Sequence, residues 1–424
     1  MLEGLDHIDW ASLRHAYGPA TDAPEHLRRL ASDDPGQREE AYTALMSSLC
    51  HQGDVYQATP HVVPFLFEML AADAVPDRAL LLWMLAALSA GQPWLTPQHT
   101  WMVEVLAGQG RDFEDEVRLA RQVADQTHQA VRAGLSLILS LLDHADRAVR
   151  IGAARVLCTL PEDGLLGLAA LRARIEREPD VAVRAELVNC LGDLAAMAAP
   201  LPAEEHAACG RLLEALVGSP HQARPVRFAA ARALAHLAGP QVAPGAVEVL
   251  LDVVIQPQGL AAGRDDPSGP ALDPDQERIT ERIAVSDACR AIAQLGAERA
   301  IPALVEGLRR VSAAEGAHQL AVLLLDFAFT GRGREATYTG LPAFEENYIY
   351  YGVTHPRPAD GVEERQYPQA QQPRDPRTLS ERQRQAVRAV LDCPAVWHIR
   401  SNLLEIHGLM GPPDALRAAL DAAL

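Results

Sequence analysis

The sequence predicts an all-α chain: a right-handed α-α superhelix of stacked helical hairpins, with a long irregular insertion near the C-terminus. Three observations lead there. The first is a recurring pattern in which an arginine is followed by apolar or small residues three and four places on and by leucines seven and ten places on. It reads Arg150, Ala153, Ala154, Leu157, Leu160; then Arg184, Leu187, Val188, Leu191, Leu194; then Arg227, Ala230, Ala231, Leu234, Leu237. Those offsets place the side chains on one helical stripe. The second is the repetition itself, with looser copies beginning at Arg38 and Arg78, because a unit that keeps returning marks a solenoid. The third is residues 331–378, where the pattern vanishes and Pro342, Pro356, Pro358, Pro368, Pro373 and Pro376 crowd in.

Residues 1–30 read as an atypical capping unit, with Trp10, Leu13, Tyr17, Leu27 and Leu30 as apolar positions around the break at Gly18-Pro19. A solenoid needs such a cap, since its end repeat would otherwise expose a core face. Residues 31–330 are the helical repeats. Asp34, Asp146 and Asp180 stand four residues before a repeat arginine, where a carboxylate caps the helix amides and can meet the guanidinium one turn later. Companion helices carry a proline near the first turn, at Pro64, Pro244 and Pro302. Between the first helices lies the loop from Cys50 to Pro60, holding His51, Gln52, Asp54 and Tyr56. Two readings stay open for it: a recognition corner, or a tie between the loop and a neighbouring helix.

The stretch Gln256 to Asp275, rich in glycine, proline and aspartate, reads as a mobile loop projecting from the repeats. Its aspartates lack the spacing and closing glutamate of an EF-hand. The insertion gathers Tyr338, Phe344, Tyr348, Tyr350 and Tyr351, rings that either bind a partner or fold back and plug a groove. Helical periodicity returns over residues 379–424, ending in a capping helix from Asp414.

The segments "DRAVRIGAARVLCTL" (Asp146 to Leu160) and "DVAVRAELVNCLGDL" (Asp180 to Leu194) resemble the bacterial HEAT-repeat superfamily, in particular its branch related to phycobilisome-lyase repeats. The resemblance spans about residues 25–330 and implies the α-solenoid (armadillo-type) fold; such repeats serve many functions.

Charge and composition narrow the chemistry. The 38 basic residues are all arginine, and 56 acidic residues leave a net charge of -18. Without lysine there is no Walker-type phosphate lysine, Schiff base or Ser-Lys pair. The acidic excess argues against a duplex-DNA surface, which needs basic residues for counterion release. The six cysteines form no CxxC pair, and the fifteen histidines include no pair at ligand spacing, so neither disulfides nor a metal or other cofactor is expected. There is no HExxH, no GxSxG and no His-Glu dipeptide, the last excluding the HEAT-repeat di-iron hydroxylases. No apolar run reaches the roughly 20 residues a bilayer requires. The N-terminus carries neither a basic leader nor a signal core, so the expected location is the cytoplasm.

The expected function is therefore a non-catalytic scaffold whose concave surface binds a protein or peptide, one with basic residues suiting the acidic chain. The candidate contacts are Tyr338, Phe344, Tyr348, Tyr350, Tyr351, His51, Gln52 and Tyr56. Two alternatives compete. One is a HEAT-like DNA glycosylase or other nucleic-acid processing factor, which would use Trp83, Trp94 and Trp101 near Asp112. The other is a lyase or assembly accessory protein.

Overall fold

A computed structural model describes residues 2–72, 75–198, 200–260, 274–330, 373–398 and 403–422. The aromatic residues Tyr338 to Tyr351 and most of the loop Gln256 to Asp275 lie outside these residues. The described chain is mostly helical: nineteen α-helices and five strands of two residues each. No helix among the described residues is long and apolar enough to cross a membrane. The chain divides between Glu176 and Arg177 into two compact units.

The first unit holds α1 (Ala23–Leu30), α2 (Pro35–Leu49), α3 (Thr59–Ala71), α4 (Arg78–Ser89), α5 (Met102–Gly108), α6 (Phe113–Arg132), α7 (Leu135–Leu141), α8 (Arg147–Cys158) and most of α9 (Gly164–Arg177). Helix α4 is its centre, packing against α3, α6 and α8. Leu81, Leu82, Met84, Leu85 and Leu88 of α4 are fully enclosed, which explains why this helix is apolar nearly all round. Trp10 is buried as expected and donates its indole N–H to the Leu5 carbonyl (2.8 Å). Tyr17 is not an apolar cap position: its side chain is 66% exposed.

The second unit holds α10 (Val181–Met197), α11 (Ala203–Gly218), α12 (Arg224–Ala238), α13 (Pro244–Ile255), α14 (Pro274–Ala293), α15 (Ala297–Arg310), α16 (Ala314–Thr330), α17 (Glu381–Leu391), α18 (Leu403–Ile406) and α19 (Pro413–Asp421). From α10 to α17 each helix touches the next and the next but one. Contacts thus run both along the chain and between alternate helices.

The repeat signature works locally through hydrogen bonds. Asp34, Asp146 and Asp180 cap α2, α8 and α10, accepting from Gly36, Ala148, and both Ala182 and Val183. Arg38 and Arg150 reach past the cap. Each donates through one Nη1 to the carbonyls five and six residues earlier: Asp33 and Ser32 for Arg38, Ala145 and His144 for Arg150, all at 2.9–3.0 Å. Arg38 also pairs with Asp77, the residue before Arg78, and Arg78 bonds His144 at 3.1 Å, ahead of Arg150. One repeat's arginine thus grips the entry to the next.

The proline start signal holds at Pro244, the first residue of α13, and fails twice. Pro64 and Pro302 lie inside α3 and α15. Helix α3 begins instead at Thr59-Pro60, and α15 follows Gly296, whose φ of 72° suits glycine. All six cysteines are buried, and none is in a disulfide.

Candidate functional site

Three chain reversals of the first unit sit side by side. Helix α2 runs into a hairpin, β3 (Cys50–His51) antiparallel to β4 (Asp54–Val55), turned by Gln52 and Gly53 at φ 52° and 88°. Two consecutive positive φ values match the twist of the flanking strands, as in a type I′ turn. The preceding reversal pairs β1 (Arg14–His15) with β2 (Gly18–Pro19). It bonds to the segments flanking the hairpin through Ala16 N–H to the Ser48 carbonyl (2.9 Å) and Ala58 N–H to the Arg14 carbonyl (3.0 Å). The following reversal adds β5 (Gln92–Pro93) parallel to β4, with Gln92 N–H bonded to the Gly53 carbonyl (2.8 Å). Thr59 fixes the far end, accepting from Tyr56 N–H (3.0 Å) and donating to the Leu49 carbonyl (2.9 Å).

This register brings aromatic and imidazole rings together. The Tyr17 hydroxyl lies 3.1 Å from His51 Nδ1, with the rings edge to face at 5.4 Å. Tyr56 stacks on Trp94, centroids 5.9 Å apart and planes within 15°. The backbone N–H of Tyr17 donates to His15 Nδ1 (3.0 Å), so His15 carries its proton on Nε2 and presents it to Asp22 (3.0 Å). Burial, then the charge of Asp54, pushes the Tyr56 phenol up to about 12, so its hydroxyl keeps its proton and stays a donor. Burial likewise raises the Cys50 thiol to about 12, leaving it inert.

Of the candidate residues taken from the sequence, His51 and Tyr56 belong to this ledge, and Gln52 stands exposed at the hairpin apex. The five aromatic candidates of the insertion fall outside the described residues. From the sequence, Tyr17 is expected only as an apolar cap position and Trp94 only in the nucleic-acid alternative, not at this site. A signal for Trp94 exists: Gly53 and Gly91 are each followed three residues later by a ring, Tyr56 or Trp94, and then by Thr59-Pro60 or Thr96-Pro97.

Two polar clusters invite a chemical reading and do not support one. Ser89, at the end of α4, has its hydroxyl 3.2 Å from His128 Nδ1, while His128 Nε2 faces Glu162 at 3.0 Å. Nδ1 also lies 3.2 Å from the Ser89 carbonyl, which can only accept. The ring is thus held between two groups that only accept, the Ser89 carbonyl at Nδ1 and the Glu162 carboxylate at Nε2, rather than aimed as a base at the serine hydroxyl. The buried hydroxyl instead accepts from Thr159 (2.8 Å), so the string ties α4, α6 and the end of α8. In the second cluster, His15 and His26 place their Nε2 atoms 3.0 and 3.7 Å from the two oxygens of Asp22. A metal-bound imidazole donates its other N–H to an acceptor, but His15 Nδ1 faces a backbone donor. No metal-binding cluster occurs among the described residues. An open groove of about 510 Å³ is lined by Phe67, Gly134, Leu137 and three small residues. The Phe67 ring fits there because a Cβ on Gly134 would lie 2.1 Å from it.

No family model matches the chain, and no curated protein does. Among solved structures, the crystal structure of an engineered protein aligns over 95% of this chain and 98% of its own length, at 17% identity and a TM-score of 0.30.

Proposed function

We propose that this chain is a non-catalytic scaffold, a HEAT-like right-handed α-solenoid, that holds a protein or peptide bearing basic residues, with the cytoplasm as its setting. The next and next-but-one contacts of α10 to α17 and the arginine grip between repeats support the solenoid reading. The observation that carries the binding reading is the ledge of Tyr17, His51, Tyr56 and Trp94. Rings that keep one polar edge and one apolar face at the surface are the usual anchors of interfaces. The net charge of -18 favours a basic partner. One of the tryptophans a nucleic-acid reading requires is already engaged: the Arg155 guanidinium lies 3.9 Å above the Trp83 ring.

The test is photo-crosslinking in the native lysate with p-benzoylphenylalanine at position 17, and at the exposed position 39 of α2 as control. A single dominant adduct at 17, weakening with salt and lost in the Tyr56→Ala and Trp94→Ala backgrounds, is expected. Identical adduct patterns from the two positions would sink the reading.

A further inference from the structure

Helix α5 is the strangest short element of the first unit. Its sequence, Met-Val-Glu-Val-Leu-Ala-Gly, contains one polar side chain, Glu104. A helix apolar nearly all round belongs inside a protein, yet only Leu106 is buried. Trp101, which precedes the helix, is 70% exposed, Val103 43% and Val105 45%. Trp101 and Val105, four residues apart, share one side and make an apolar patch of the kind that marks an interaction site, while Val103 lies on another side. The same helix is anchored beside the ledge, since its Met102 and Leu106 share an enclosed cluster with Trp94, Leu95, Val117 and Ala120.

Charge says what covers it. Helix α6 begins just beyond α5 with a run of carboxylates. Arg111 takes Glu116 and Arg118 takes Asp115. Among the described residues, no cation pairs with Glu104, Asp112 or Glu114. A second copy of this chain would bring an identical set of carboxylates against these, and like charges across an interface cost several kcal/mol. A partner with an apolar centre and a basic rim meets the opposite situation.

We infer that the α5 face, centred on Trp101 and Val105, is the docking site for an amphipathic segment of the protein partner, apolar on one side and arginine- or lysine-rich around it. This deepens the scaffold reading and rests on it. The segment's apolar side replaces water over Trp101 and Val105, and its cations answer Glu104, Asp112 and Glu114.

The test uses the full chain. Sedimentation velocity is expected to show a monomer; a dimer that dissociates on Trp101→Ala would overturn the inference in favour of self-association. The probe is a synthetic peptide of about 18 residues with leucine and arginine at helical spacing, followed by the fluorescence of Trp101 against a Trp101→Phe control. It is expected to bind with a salt-dependent affinity that drops about tenfold or more in Val105→Asp and in the Glu104→Arg, Glu114→Arg double variant. Far-UV circular dichroism should stay unchanged, since these side chains are exposed. Equal binding of a peptide with glutamate in place of arginine, or unchanged affinity in both variants, overturns it. Repeating the position-17 crosslink in the Val105→Asp chain separates the two readings. If the adduct persists at full strength, the ledge stands and the α5 assignment falls; if it disappears, both are supported.

Discussion

Gln52 occupies a backbone conformation that an unbranched, non-glycine residue adopts at some cost, φ 52° at the apex of a two-residue turn. Asparagine tolerates that region far better, and β-branched residues far worse. Gln52→Asn is therefore expected to stabilise the protein by about 0.5 kcal/mol and Gln52→Val to destabilise it by roughly 1–2 kcal/mol, as read from urea denaturation midpoints. His318 of α16 shows a second single-residue effect. Burial holds its imidazole below the ordinary 6.5, against the opposing charge of Glu315. A histidine harder to protonate when folded leaves stability untouched above pH 6.5, where it is neutral in both states. The same group subtracts stability as pH falls below that value, because the unfolded chain binds the proton first. Denaturation midpoints should decline on acidification from pH 6.5, and His318→Gln should flatten that slope; an identical slope in the variant would show that other groups set it.

Between helices, contact depends on what each surface omits. Helices α10 and α12 approach so closely at Gly192 that an added Cβ would lie 2.4 Å from the Cβ of Ala233. Gly192→Ala is expected to cost about 1–3 kcal/mol through overpacking, while Gly218→Ala, with open space around it, should cost little beyond any helix-end effect. The same helices share a buried ion pair: Arg232 donates to both oxygens of Asp193 (3.0 and 3.1 Å) and to Asn189 (3.2 Å). Burial opposes its charge, but Asp193 and Asp287 raise its pKa and keep it protonated. Arg232→Met should cost about 3–5 kcal/mol by stranding Asp193, and adding Asp193→Leu should recover most of it; no recovery in thermal denaturation would show that Asp193 finds another partner. These pairs were half legible. Trp83, Arg155, Asn189, Arg232 and Asp287 each stand five residues after an arginine: Arg78, Arg150, Arg184, Arg227 and Arg282. The apolar offsets identified the buried stripe, with Leu237 alone among the apolar positions of the three strict copies only half-buried. The fifth offset lies on the opposite side of the helix, which a lone amphipathic helix would leave in water. Where helices pack on both sides of such a helix, polar residues there must pair, Arg155 with Trp83 and Arg232 with Asn189. The two-residue strands were hidden for a related reason: ladders this short carry no alternation of their own and exist because neighbouring reversals lie in register.

At the scale of the whole chain, the two units each have their own helices and buried side chains. Unfolding is expected to depart from a single two-state transition, with the calorimetric enthalpy exceeding the van't Hoff enthalpy; a ratio of one would show that the units melt together. Overall helical character was plain from composition and period. The candidate site was legible only in part, because His51 and Tyr56 become a ledge through Tyr17 and Trp94, residues brought in by adjacent reversals. The buried cysteines have one last consequence. Cys50 lies in β3, Cys158 in α8, Cys190 in α10, Cys209 in α11, Cys289 in α14 and Cys393 just after α17. An alkylating reagent reaches each sulfur only when its own neighbourhood opens. The chain therefore carries six built-in stopwatches, and the order in which mass spectrometry finds them capped would record where fraying starts and how far it spreads.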